Sequence, residues 1–206
     1  MARLLAFSLC FGAGLGAFSA PVAACSETTP CALEEGEYYI ALPERSDTPP
    51  PAILYIHGYG GSAEGALDNE TMMQPFLDRG YAVIAPQGLP FPGGTINGWS
   101  FHPDVTQRRD EVAFIQAVRD DAISRHELNP EQVVLTGFSI GGSMTSYLAC
   151  QAPEAFSAYA PLGGNFWRPH PDACAGPVRL LHTHGWRDGT VPQEGRDVRG
   201  GAIGDP

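Results

Sequence analysis

The sequence contains no lysine, and its 12 basic residues, all arginine, stand against 23 acids for a formal net charge of −11 at pH 7. A surface of that sign lacks the basic face that a phosphate backbone requires, which excludes nucleic acid as a partner. Past the N-terminus there is no run of the ~18 apolar residues that a membrane span needs, so no integral membrane segment is expected in the mature chain. Cofactor signatures are missing as well. No G-x-G-x-x-G follows the first predicted strand, no glycine cluster leads into Lys-Ser/Thr, and there is no His-Glu-x-x-His. His182 and His184 on one strand face are two ligands without a third, too few for a metal site. Neither a cofactor nor a metal is expected.

What is present suits one core-forming domain: 206 residues, 43% hydrophobic and only 17% charged. Residues 1–24 read as an address. Arg3 supplies a short positive region, residues 4–18 are apolar, and Val22-Ala23-Ala24 offers small residues at a cleavage point before Cys25. The expectation is a secreted protein, extracellular or periplasmic, with residues 25–206 as its domain. Four cysteines then remain, and export favours two disulfides from three possible pairings. Cys25 and Cys31 flank a small loop, and Cys150 with Cys174 makes the second pair. A competing reading lipidates Cys25 and leaves Cys31 without a partner. The oligomeric state is not written in the sequence.

Short apolar runs alternate with helical periodicity along the rest of the chain. Strands are expected at 37–42, 52–57, 81–85, 132–136, 156–161 and 178–184. Met72, Met73, Phe76 and Leu77 share one helical face behind Asn69 as N-cap, and Val112, Ile115, Val118, Ala122 and Ile123 share another. A third helix spans 142–151. Strands alternating with helices imply a mostly parallel sheet covered on both faces, an α/β domain.

The chemistry concentrates at Gly137-Phe138-Ser139-Ile140-Gly141-Gly142, between a strand and a helix. A serine in such a turn projects its hydroxyl above the sheet, the following helix N-terminus favours negative charge, and the glycines remove Cβ atoms from a tight corner. Ser139 is the candidate nucleophile. His57-Gly58-Tyr59-Gly60-Gly61 follows the second strand, where the backbone N–H of Tyr59 can join that of Ile140 as an oxyanion hole. Asp188, past the strand at 178–184, is the candidate acid, ahead of Asp172 and Asp197.

Tyr55-Ile56-His57-Gly58, Trp99-Ser100-Phe101, the 108–114 segment R-R-D-E-V-A-F, the 137–144 segment and the 184–192 segment H-G-W-R-D-G-T-V-P together resemble secreted α/β-hydrolases of the polyhydroxybutyrate depolymerase and feruloyl esterase type. The resemblance spans roughly residues 25–196. It implies an ester or polyester substrate, Ser139 as nucleophile, Asp188 as triad acid, and the amides of Tyr59 and Ile140 as oxyanion donors. It also places Trp99, Phe166 and Trp167 in loops over the sheet, as candidate substrate contacts.

That pattern then breaks. It puts the catalytic histidine after the aspartate, and all six histidines (His57, His102, His126, His170, His182 and His184) precede Asp188. Residues 194–206 show no apolar periodicity. The chain therefore reads as a C-terminally shortened esterase, its last helix and strand expected to be missing. The alternative is a catalytically inactive exported protein that binds polyester or carbohydrate.

Overall fold

The computed structural model describes residues 25–44, 47–102, 106–198 and 201–203. The expected signal segment, 1–24, lies outside these residues. The chain enters through a hairpin, β1 (Cys31–Leu33) and β2 (Gly36–Ala41), and continues into β3 (Ala52–Ile56). Two helices follow, α1 (Ala63–Leu67) and α2 (Glu70–Leu77), and then β4 (Ala82–Pro86). A small ribbon, β5 (Leu89–Pro90) paired with β6 (Asn97–Gly98), precedes the long helix α3 (Glu111–His126). Next come β7 (Val133–Phe138), α4 (Ile140–Gln151) and β8 (Ala158–Leu162). Two short strands, β9 (Arg196–Val198) and β10 (Gly201–Ile203), pair antiparallel at the end.

The central sheet runs in the order β1-β2-β4-β3-β7-β8, with β4, β3, β7 and β8 parallel and the β1–β2 hairpin antiparallel at one side. All five residues of β3 are buried, which is what an inner strand covered on both faces requires. Leu54 and Ile56 pack with Phe114, Ile115 and Val118 of α3 and Met144 and Leu148 of α4. Tyr55 points the other way, into Val83, Ala85 and Met73 under α1 and α2. The helices start where side chains can satisfy their first amides. Ser62 Oγ accepts from Gly65 N–H, Asn69 Oδ1 from Met72 N–H and Asp110 Oδ1 from Ala113 N–H. This is an α/β domain, a mostly parallel sheet with helices on both faces.

One expectation needs correction. The run at 178–184 lies beside β8 in parallel but makes only two isolated bridges, Tyr159 to Leu180 and Leu162 to Thr183, so it is not a continuous strand. Leu180 and Leu181 stay exposed there because nothing among the described residues covers them, and a half-covered run gains little from burying its apolar side chains. Residues 194–206, which lack apolar periodicity, carry β9 and β10, a pair separate from the central sheet. Backbone pairing needs no apolar pattern, and Gly195, at φ +76, supplies a turn leading into β9. Both expected disulfides are present, Cys25–Cys31 and Cys150–Cys174. The second ties the end of α4 to the segment that runs toward the 178–184 edge.

Candidate active site

Ser139 occupies the single-residue corner between β7 and α4, at φ +56° and ψ −120°. Non-glycine residues avoid this conformation, which persists only where the surroundings over-determine it. Here they do. Ser139 N–H donates to Leu162 O at 2.9 Å, and its carbonyl accepts from Ser143 N–H at 2.9 Å. A Cβ on Gly141 would stand 2.1 Å from Ile56 O and 2.7 Å from His57 O, and one on Gly137 would stand 2.5 Å from Gly141 O. Glycine is the residue that fits at both, because β3, β7 and α4 converge on backbone contact. The Ser139 side chain makes no capping bond to its own helix, so the hydroxyl is left for other chemistry at the positive end of α4.

Beside it, residues 58–61 form a turn closed by Gly61 N–H on Gly58 O at 3.1 Å, with Gly60 at φ +73. A Cβ on Gly58 would lie 3.7 Å from Ser139 Cβ, so this turn borders the serine directly. Gly61 N–H is used within the turn and Gly60 N–H donates to Asn97 O at 3.0 Å. Tyr59 N–H, in contrast, has no backbone acceptor among the described residues. His57 is buried and fully engaged. Gly88 N–H donates to its Nε2 at 3.1 Å, which leaves Nδ1 to carry the proton toward Gly58 O at 2.8 Å. Burial holds its pKa below the ordinary histidine value, so it is a neutral structural imidazole.

Asp188 reaches the opposite flank. Its Oδ1 accepts from Thr190 N–H at 2.8 Å and Val191 N–H at 2.9 Å, and the Val191 bond is the main reason its carboxyl sits below the usual range. Its Oδ2 faces Gly163, where a Cβ would be 3.5 Å away. The next residue, Gly164, packs so closely on the corner that a Cβ there would come within 2.5 Å of Ser139 O. Asp188, Gly163–Gly164 and Ser139 thus follow one another across the end of the sheet.

The aromatic candidates separate. Trp99 is 3% exposed, its Nε1 donating to His57 O at 2.9 Å. Its expected place among the substrate contacts is corrected to the core, because its N–H finds its partner on the buried backbone behind the 58–61 turn. Phe166 and Trp167 are half-buried one helical turn along α4. Trp167 Nε1 donates to Ser143 Oγ at 3.2 Å, and Phe166 meets Tyr147 edge-on at 5.0 Å. The side chains around the corner that sequence reasoning passed over are Phe138, 54% exposed, and the Tyr59–Phe91 ring pair, centroids 5.6 Å apart. Phe138 is the variable position of the elbow pattern and Phe91 sits in a ribbon of two-residue strands, so neither carried a periodic signal.

A serine at positive φ on a strand-to-helix corner, bordered by a glycine turn and with Asp188 across Gly163–Gly164, has the arrangement of a candidate nucleophile elbow. A family model described as the alpha/beta hydrolase fold matches residues 51–200, and the chain belongs to that family. It is 31% identical over 132 residues to feruloyl esterase B of Thermothelomyces thermophilus, covering 62% of this chain and 44% of that protein. It is 26% identical over 121 residues to poly(3-hydroxyalkanoate) depolymerase C of Paucimonas lemoignei, covering 55% and 28%. Acetyl xylan esterase from Aspergillus awamori shares the fold, with a TM-score of 0.54 and 23% identity over 63% of this chain and 47% of that one. The chain thus spans less than half the length of each of these relatives.

Proposed function

We propose that this chain is a secreted serine carboxylic-ester hydrolase working through an acyl-enzyme. The observation that carries the reading is the φ of +56° at Ser139, backbone strain held at a single residue by glycines on both sides. Ser139 Oγ attacks the ester carbonyl, the alcohol leaves, and water releases the acid from the acylated serine. The developing oxyanion takes the amides of Tyr59 and Ile140, with the α4 N-terminus behind them. Asp188 would orient and stabilise an imidazole that takes the Ser139 proton and returns it to the leaving alcohol; the family pattern places that histidine after the aspartate, and none follows Asp188 in this sequence. No histidine of the chain is assigned that step, since His57 has both ring nitrogens engaged and His184 binds Val191 O. The names of the relatives support two substrate classes, hydroxyalkanoate polyesters and feruloyl or acetyl sugar esters. Tyr59, Phe91 and Phe138 supply an apolar ledge suited to either acyl chain, and Phe166 and Trp167 lie further along α4.

The test is labelling with a fluorophosphonate probe alongside hydrolysis of a p-nitrophenyl ester. Ser139-dependent labelling and hydrolysis, lost in Ser139→Ala and far slower than a complete Ser-His-Asp triad gives, are the expected result. A wild-type chain that neither labels nor hydrolyses, yet is retained on polyester or polysaccharide in the Ser139→Ala form too, would establish the binding protein instead.

A further inference from the structure

The Gly58–Gly61 turn is held from outside by one residue. Asn97, in β6, accepts Gly60 N–H on its backbone carbonyl at 3.0 Å and donates its side-chain Nδ2–H to Gly61 O at 3.0 Å. Gly60, at φ +73, gives this turn the positive φ that a type II turn requires at its third residue. The peptide between Tyr59 and Gly60 can rotate between the type I and type II arrangements, and the bond from Gly60 N–H to Asn97 O selects one of them. The bond to Gly61 O fixes the far end. With both ends held, the Gly60 and Gly61 amides are engaged, and among the described residues the Tyr59 N–H has no backbone acceptor.

The element that carries Asn97 is itself anchored. Pro90 pairs with Asn97 and Leu89 with Gly98. Arg108 spans the same ribbon, donating to the carbonyls of Leu89, Pro90 and Gly98 while its guanidinium lies 4.7 Å from the Phe91 ring centroid. On the other side of Gly98, a Cβ would stand 3.2 Å from Ile140 Cδ1. One small ribbon therefore borders both proposed donor residues: Asn97 bonds the turn that carries Tyr59, and Gly98 lies beside the Ile140 side chain.

We infer that Asn97 is a positioning residue for the oxyanion hole, acting through Gly60 and Gly61 on the Tyr59 amide. The inference rests on the reading of Ser139 as nucleophile. A donor aimed at a developing charge loses most of its value when displaced by about 1 Å, which can cost on the order of 100-fold in rate. Removing the Asn97 side chain leaves the backbone clamp in place and releases the other, so a loss of about tenfold is expected.

Two measurements on Asn97→Ala, Asn97→Asp and the wild-type chain separate the possibilities. The first is amide hydrogen exchange at Gly60 and Gly61. The second is the fluorophosphonate inactivation rate at Ser139, resolved into probe binding and covalent step. Asn97→Ala is expected to speed exchange of the turn amides tenfold or more and slow the covalent step about tenfold, with probe binding within twofold. Asn97→Asp, which cannot donate when ionised, is expected to behave like Asn97→Ala at neutral pH and to recover slow exchange as its carboxyl protonates. Unchanged exchange overturns the clamp whatever the labelling shows. Faster exchange with an unchanged covalent step overturns its role in the reaction. Absent wild-type labelling overturns the serine reading, and the catalytic role of Asn97 with it.

Discussion

His184 Nε2 lies 3.8 Å from Asp188 Oδ2, but the atom it bonds is the Val191 carbonyl, at 2.5 Å. Its Nδ1 meets His182 Nε2 at 3.1 Å. The imidazole closest to the candidate triad acid is therefore a strut for the 184–191 loop. It fixes where Asp188 sits and leaves the carboxylate's Oδ2 facing Gly163 and the serine corner.

The first prediction concerns that corner. In Gly141→Ala the new methyl would overlap the Ile56 and His57 carbonyls, both backbone atoms of the inner strand and its end. Neither can rotate away as a side chain would. A loss of about 3 kcal/mol is expected from forced overpacking, with fluorophosphonate labelling abolished. Urea unfolding of the purified variant, or its failure to accumulate as folded protein, checks it.

The second concerns a buried ion pair. Arg109 Nη2 and Glu111 Oε2 are 2.7 Å apart, with side chains 2% and 1% exposed. Arg109 also donates to Glu35 O and Gln87 O and lies 3.5 Å over the Phe114 ring, while Glu111 Oε1 accepts from Ser100 N–H and Oγ–H. Removing one partner alone leaves a buried charge uncompensated, so Arg109→Met is expected to cost about 3–5 kcal/mol. Arg109→Met with Glu111→Leu should recover a large part of that. Chemical denaturation of the single and double variants decides it, and equal losses in both would contradict the argument.

Acid sensitivity is the third. Burial is the leading cause of lowered pKa values at His57, His126 and His182, so the unfolded chain takes up protons before the folded one does. For groups shifted in this direction stability is present above the unfolded value of about 6.5 and falls as pH drops from there toward the folded pKa values. Asp188 acts lower down. Its depressed carboxyl contributes above about 3.9 and is lost as pH falls through its folded value. Melting temperature measured from pH 8 to pH 3 should fall first near pH 6, then again below pH 4. In His57→Gln the first fall should be smaller.

The fourth concerns the Cys150–Cys174 bridge, which joins residues 24 apart in sequence. Constraint of the unfolded chain by a loop of that size is worth about 2–4 kcal/mol. Cys174→Ser in a Cys150→Ser background is expected to lose that much in equilibrium unfolding, with a larger rise in proteolytic cutting between 168 and 180 than elsewhere.

Part of this architecture was legible from residue order. The alternation of apolar runs and helical faces placed β2, β3, β4, β7, β8 and the three longer helices, because inner strands buried on both faces read as short apolar runs while a helix buried on one face repeats at helical spacing. The five-residue elbow pattern singled out Ser139, since glycines at both flanks are a local demand of the corner. The run at 178–184 misled for the same reason that it was legible. An apolar run records what could be buried, and only a covering layer turns it into a full strand.

Composition, the lysine-free acidic balance and the spacing of glycines around Ser139 were settled by the sequence itself, through local sterics and net charge. Trp99's burial behind His57, His184's bond to Val191 and the double hold of Asn97 on the 58–61 turn were decided by tertiary structure. Each joins segments separated in sequence or turned toward one another by a loop, and a hydrogen bond has direction as well as reach. Residue types state which atoms can donate or accept; the folded backbone alone sets which of them meet.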